Sequence, residues 1–134
     1  MFAQWSDDYN VNIREIDSQH RRLFELVNEL HDAMSQGQGS KLLGDILNNL
    51  LHYTKMHFST EERYMSTYKY PGFMAHKAEH DELTKTVVDF VESYRNGKAL
   101  ISIQLMNFLI NWLKNHILAT DKKSGSFLIS QDVK

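Results

Sequence analysis

The sequence predicts an all-α fold: an up-down-up-down antiparallel four-helix bundle with an N-terminal arm. Three observations lead there. Apolar residues recur at three- and four-residue steps along most of the chain, the period of an amphipathic helix. There is one proline in 134 residues, which suits long helices because proline removes a backbone donor and clashes inside them. No segment shows the two-residue alternation of a half-buried strand.

The first stripe reads Leu23, Phe24, Val27, Leu30 and Met34, and stops at Gly37-Gln38-Gly39. Ser40 is suited to cap the next helix. The second stripe runs Leu43, Leu47, Leu50, Thr54, Phe58 and Met65 until Tyr70-Pro71-Gly72 ends it, since proline and glycine punctuate helical patterns. The third is Leu83, Val87, Phe90, Val91 and Tyr94, with Asn96-Gly97 as its stop. The fourth is Ile101, Leu105, Leu109, Trp112, Leu113 and Ile117, and Ser124-Gly125-Ser126 is read as its break. These stripes imply helices over about residues 17–36, 41–69, 73–95 and 99–122, each roughly 30 Å long. The short connections between them make neighbours antiparallel. Residues 1–16 form the arm, with Trp5 packed on the bundle, and residues 1–134 read as one domain.

Composition narrows the function. Apolar residues make up 42% and charged residues 24%, an ordinary globular balance. No apolar run approaches the ~18 residues of a membrane span, so no stable membrane insertion is expected. The acidic start lacks the basic-then-apolar order of a signal peptide, and a cytoplasmic location is the expectation. Net charge is −2 with no basic face, which argues against nucleic acid as a partner. The chain has no cysteine, which removes disulfides, thiolate metal sites and cysteine nucleophiles. No apolar surface stripe demands association, so a monomer is expected.

The seven histidines need an explanation, because several extend the apolar stripes. His20 lies on the face of Leu23 and Phe24. His57 and Glu61 continue the second stripe at i, i+4, so both project from one face. His76 and His80 open the third stripe at the same spacing. His116 follows Trp112 and Leu113, and Asp121 comes five residues later. In an antiparallel bundle the start of helix one, the end of helix two, the start of helix three and the end of helix four share one end. Five imidazoles and two carboxylates therefore converge in the core. Burying an unpaired polar group costs several kcal/mol, and seven such groups would exceed a domain's stability of ~5–15 kcal/mol. Metal coordination removes the cost by engaging the lone pairs. Seven ligands are too many for one tetrahedral zinc and suit two five- or six-coordinate ions bridged by the carboxylates. Donor chemistry alone leaves iron, copper, zinc and nickel open. At ~100° per residue, His116 and Asp121 point about 140° apart, so a π-bulge or tightened turn is predicted within residues 117–120.

The motifs Ile16-Asp17-Ser18-Gln19-His20, His57-Phe58-Ser59-Thr60-Glu61, His76-Lys77-Ala78-Glu79-His80 and Trp112-Leu113-Lys114-Asn115-His116 through Asp121 resemble those of the bacterial hemerythrins, over a span from Trp5 to about Leu128. The resemblance implies two iron ions in an oxo- or hydroxo-bridged centre. His76, His80 and His116 would hold one iron, His20 and His57 the other, and Glu61 and Asp121 would bridge them. It implies that molecular oxygen binds reversibly at the second iron's open position, inside a dry pocket of Leu23, Phe58, Trp112, Leu113 and Ile117. The expected function is oxygen carriage, storage or delivery to oxygen-using enzymes, not catalysis. The family pattern leads one to expect tyrosine near position 124, where this chain has Ser124.

Other readings compete. An oxygen or redox sensor is one, although such sensors are usually fused to signalling domains, for which 134 residues leave no room. A di-iron oxidase, peroxidase or nitric oxide scavenger is another. Carboxylate-rich di-iron sites use Glu-x-x-His pairs and further Glu ligands, whereas two carboxylates stabilise high-valent iron less. His76-Lys-Ala-Glu79-His80 also fits an inverted zinc-peptidase pattern with Glu79 as base, but that leaves the other five residues unexplained. His31, about 16 Å from His20 along the axis, reads as a core-edge or surface residue, and His52 as solvated. Tyr64, Tyr68 and Tyr70 are assigned no role.

Overall fold

The computed structural model describes residues 2–37, 40–97 and 103–134. It is a four-helix bundle. Its rods are α1 (Arg14–Ser35), α2 (Ser40–Thr67), α3 (Phe73–Arg95) and a fourth made of α4 (Ile103–Asn115), a π-helical stretch His116–Asp121 and α5 (Lys122–Ser130). Asn115 and Lys122, on either side of the π stretch, both keep right-handed helical angles, so the fourth rod is unbroken. No strand occurs among the described residues. The start of α1, the end of α2, the start of α3 and the π stretch meet at one place, which requires neighbouring rods to run antiparallel.

The main core takes one stripe from each rod, including Leu23, Val27, Leu30, Leu47, Leu50, Leu83, Val87, Met106 and Leu109. Full burial of each such side chain stabilises by ~1.5–3 kcal/mol. A smaller cluster of Val11, Ile13, Ile16, Leu128 and Val133 joins the arm to the C-terminal end. Trp5 packs edge-on against Phe24 at 5.3 Å between ring centroids. Asn28 holds the arm in two bonds, accepting from the Ala3 N–H at 2.6 Å and donating to the Ala3 carbonyl at 2.7 Å.

Several boundaries differ from the sequence expectation, each for a local reason. Helix α1 begins at Arg14 rather than near 17, because Asp17 reaches back to accept from the N–H groups of Val11 at 2.7 Å and Asn12 at 3.0 Å. This anchors the chain so that Ile13 and Ile16 enter the smaller core. Helix α2 stops at Thr67, not 69. Lys69 takes a left-handed angle, φ 56°, and the Tyr70 N–H donates to the Met65 carbonyl at 2.8 Å, the pattern of a left-handed helix stop. The expected break at Ser124-Gly125-Ser126 does not occur, and helix continues to Ser130. Gly125 instead makes room for the arm: a Cβ there would lie 2.9 Å from Val11 Cβ. The reading of Ile101, of Gln38-Gly39 and of a helix start near 99 falls outside the described residues.

Candidate metal centre

The seven residues singled out in the sequence converge. His20 comes from α1, His57 and Glu61 from α2, His76 and His80 from α3, and His116 and Asp121 from the π stretch. All are at most 3% exposed. The π stretch is the device that joins the last pair. In a π-helix the bond runs from residue i to i+5, as from the Lys122 N–H to the Ile117 carbonyl here, so positions five apart return to one face. His116 Nε2 thereby lies 3.2 Å from Asp121 Oδ1. The sequence expected this distortion within residues 117–120, and it spans His116–Asp121.

Every imidazole turns Nε2 toward the middle. Asp121 Oδ1 is 2.9 Å from His76 Nε2, and its Oδ2 is 3.0 Å from His20 Nε2. Glu61 Oε1 is 2.7 Å from His57 Nε2 and 3.6 Å from His80 Nε2, and its Oε2 is 3.6 Å from His76 Nε2. The donors fall into two overlapping groups, Glu61–His76–His80–His116–Asp121 and His20–His57–Glu61–Asp121, each with its donor atoms within 4.8 Å of one another. Both carboxylates belong to both groups.

These residues fit a pair of cations. Among the described residues, the buried Nε2 atoms of His20 and His76, both Asp121 oxygens and Glu61 Oε1 lack an aligned hydrogen-bond partner, a costly state for a buried polar atom. The Nε2 atoms of His80 and His116 face each other at 3.1 Å. Two nitrogens whose outer N–H groups are already committed bring lone pair against lone pair unless a cation or proton lies between. Donors about 90° apart on a metal at ~2.1 Å are separated by about 3 Å, the spacing seen.

The outer nitrogens explain why Nε2 is the free one. His80 Nδ1 donates to Glu62 at 2.9 Å, His116 Nδ1 to Glu79 at 3.0 Å and His57 Nδ1 to the Gln19 amide oxygen at 2.7 Å. A bond of this kind fixes the tautomer and the ring orientation. Ring faces are held too: Phe58 stacks on His80 at 3.8 Å and Trp112 on His116 at 4.5 Å. Gln19, Glu62 and Glu79 had no such part in the sequence reading. Their only signal was that each adjoins a cluster residue in the chain. Glu79, the base of the peptidase pattern, is instead bonded by His116 Nδ1 at 3.0 Å and by the Thr120 hydroxyl at 2.9 and 3.0 Å.

Without a cation the cluster is strongly polarised. Burial alone would lower the His20 pKa, but Asp121 and Glu61 beside it raise it to about 10. Burial likewise opposes a charge on His116, yet Asp121 carries it up to about 9. Burial pushes His80 down to about 3. Against burial, the charge of His116 and the bonds around it keep Asp121 well below the usual carboxylate range, and His57 and His20 lower Glu61.

Beside the cluster lies a cavity of about 30 Å³ bounded by Leu23, Phe58, Trp112 and Leu113 and reaching inward to Val27 and Leu109. Thr54 also borders it, with its hydroxyl donating to the Leu50 carbonyl at 2.7 Å. Ile117 is fully buried but does not border this cavity. Ser124 is buried and donates to the Asp121 carbonyl at 3.0 Å, so the small residue closes the turn where tyrosine was expected. His31 is half-buried and stacks on Phe2 at 4.2 Å, far from the cluster residues in chain and contacts, and His52 is exposed.

Residues 11–125 match the family model described as Hemerythrin HHE cation binding domain. A bacteriohemerythrin of Methylococcus capsulatus is 37% identical over 121 residues, covering 90% of this chain and 92% of the relative. A myohemerythrin of Theromyzon tessulatum is 30% identical over 120 residues, covering 90% and 88%. The crystal structure of a wild-type hemerythrin superposes with a TM-score of 0.90 at 36% identity, over 93% of this chain and 96% of that one. With the converging histidines and the bundle that carries them, these likenesses place the chain in the hemerythrin family.

Proposed function

We propose that this protein binds molecular oxygen reversibly at a pair of iron ions and acts as a carrier or store rather than an enzyme. The observation that carries the reading is the set of inward Nε2 and carboxylate atoms, several of them without a hydrogen-bond partner among the described residues, divided into two donor groups that share Glu61 and Asp121. His76, His80 and His116 would hold one ion and His20 and His57 the other, with the two carboxylates spanning both. Ions so held would supply redox chemistry for reversible oxygen binding.

The chain's own residues perform the rest. The Nδ1 bonds to Gln19, Glu62 and Glu79 keep three rings from turning when charge builds beside them. Leu23, Phe58, Trp112 and Leu113 present an apolar wall, with Ile117 buried next to His116. Such a wall admits a small apolar gas and disfavours water, which needs polar partners to stay in a cavity. With only two carboxylates, the donor set is poorly suited to stabilising high-valent iron. No helix among the described residues is long and apolar enough to cross a membrane, and the proposal is of a cytoplasmic monomer that delivers oxygen to oxygen-using enzymes.

The test is an optical spectrum of the anaerobically reconstituted ferrous protein, cycled between oxygen and vacuum, with iron counted per chain. A visible band that appears with oxygen and vanishes under vacuum, at two irons per chain, is the expected result. Irreversible oxidation would favour the sensor or enzyme reading, and fewer than two irons would overturn the ligand assignment.

A further inference from the structure

The outer nitrogens of the cluster are not treated alike. His80 Nδ1 and His116 Nδ1 donate to carboxylates, Glu62 at 2.9 Å and Glu79 at 3.0 Å, and the Thr120 hydroxyl holds Glu79 in place. His57 Nδ1 donates instead to a neutral amide, Gln19, at 2.7 Å. The Gln19 nitrogen donates to the Thr60 hydroxyl at 3.3 Å, which sets the amide's orientation. Among the described residues His20 Nδ1 and His76 Nδ1 have no hydrogen-bond partner. The division follows the two donor groups. Glu62 and Glu79 support the group of His76, His80 and His116, while among the described residues the outer bond in the group of His20 and His57 goes to an amide.

This difference has chemical weight. A hydrogen bond from imidazole N–H to an anion pushes electron density onto the opposite nitrogen and makes it a stronger donor, and losing such a partner costs ~10–100-fold in metal affinity. Charge-assisted bonds are also about twice as strong as neutral ones. Electron-rich donors stabilise a metal's higher oxidation state, so the same contrast sets which ion is the easier to reduce.

We propose that Gln19 is a positioning residue whose neutral amide keeps the cation held by His20 and His57 the more exchangeable and more easily reduced of the two, while Glu62 and Glu79 anchor the other. The inference rests on the reading that two cations share Glu61 and Asp121. It assigns the inequality of the two halves to the outer partners as well as to the number of histidines. The half with fewer histidines is thereby held soft, and a carboxylate at position 19 would stiffen it.

The experiment loads the full-length protein anaerobically with ferrous iron, adds an excess of a coloured ferrous chelator and follows release. Wild type is expected to lose iron in two phases of equal amplitude. Gln19→Glu should slow the fast phase about tenfold or more and leave the slow phase alone, while Glu62→Gln and Glu79→Gln should speed the slow phase by a similar factor. Damage to packing speeds loss, so slowing in Gln19→Glu separates the proposed role from a structural one. Redox titration supplies a second readout, with Gln19→Glu lowering one ferric/ferrous potential. If Gln19→Glu fails to fold by circular dichroism, the two Glu→Gln variants decide, and an unchanged slow phase overturns the inference. A fast phase unchanged in folded Gln19→Glu overturns it as well. Wild type that never holds two irons overturns the two-cation reading and this inference together. Two bound irons whose release none of the substitutions alters overturn this inference alone.

Discussion

At the scale of single residues, the centre is a contest between protons and cations for the same nitrogens. His20 and His116, raised to about 10 and about 9, hold protons at neutral pH when no cation is present, and a metal ligand must give its proton up. Loading at pH 7 should release about two protons per chain, and affinity should climb with pH until these groups titrate. Calorimetry of metal binding in buffers of different ionisation enthalpy counts the protons. The stability of the metal-free protein has its own pH dependence. The raised pKa values of His20 and His116 contribute stability that is complete below the ordinary histidine pKa of ~6.5 and is lost as pH rises through about 9 and 10. The lowered His80, at about 3, works the other way, and its contribution is lost as pH falls from ~6.5 toward 3. Asp121 and Glu61, also lowered, lose theirs on further acidification. Thermal melts of the chelator-treated protein should therefore peak near pH 6–7 and fall on both sides, by at most about 1.4 kcal/mol per pH unit per group.

At the scale of elements, the fourth rod does two jobs that an ideal α-helix would not combine. Its π stretch turns Asp121 back to the side of His116, and the helix then continues so that Leu128 closes the smaller core. Gly125 permits the arm to cross this continuation against Val11. Gly125→Ala should lower stability although alanine is the better helix former by ~1 kcal/mol, because crowding a packed contact costs ~1–3 kcal/mol. A drop in melting temperature with iron stoichiometry unchanged is the expected outcome. Asp121→Asn should act in the opposite pattern. It leaves the helix intact by circular dichroism but reduces retained iron below two per chain, because an amide is a weak substitute for a shared carboxylate.

For the whole molecule, the bundle pays a high cost to bring seven polar residues into one end of its core, and cations offset that cost. Any ligand that binds only the folded state stabilises it by about 4 kcal/mol at a thousandfold excess over its dissociation constant. For a chain of this length, that is a rise on the order of 10 °C in melting temperature. Differential scanning calorimetry with and without ferrous iron, under argon, measures it. An absent shift would mean that the cluster is satisfied some other way. At the same scale, the cavity beside the site joins the metal end to the apolar middle of the bundle. Under the proposed oxygen-binding function, Leu109→Phe, placed in its inner wall, should slow oxygen binding in stopped flow while leaving iron content unchanged.

Much of this protein was determined by its sequence alone. Four apolar stripes set four helices, and an antiparallel order brings the ends carrying His20, His57, Glu61, His76, His80, His116 and Asp121 together, since helix periodicity and chain reversal are local rules. The five-residue step from His116 to Asp121 even announced its own distortion, because 3.6-residue geometry does not permit it. The tertiary structure alone decided what depends on how each rod is rotated and how far it runs. Which carboxylates reach the outer nitrogens is one such matter: Glu62 serves His80, a residue of another helix, and Glu79 serves His116 rather than its neighbour His80. The role of Gly125 is another, for a glycine that accommodates a crossing segment and one that ends a helix look the same in sequence. Ile117 stands beside the pocket residues in the chain and is fully buried, yet it lies off the cavity wall.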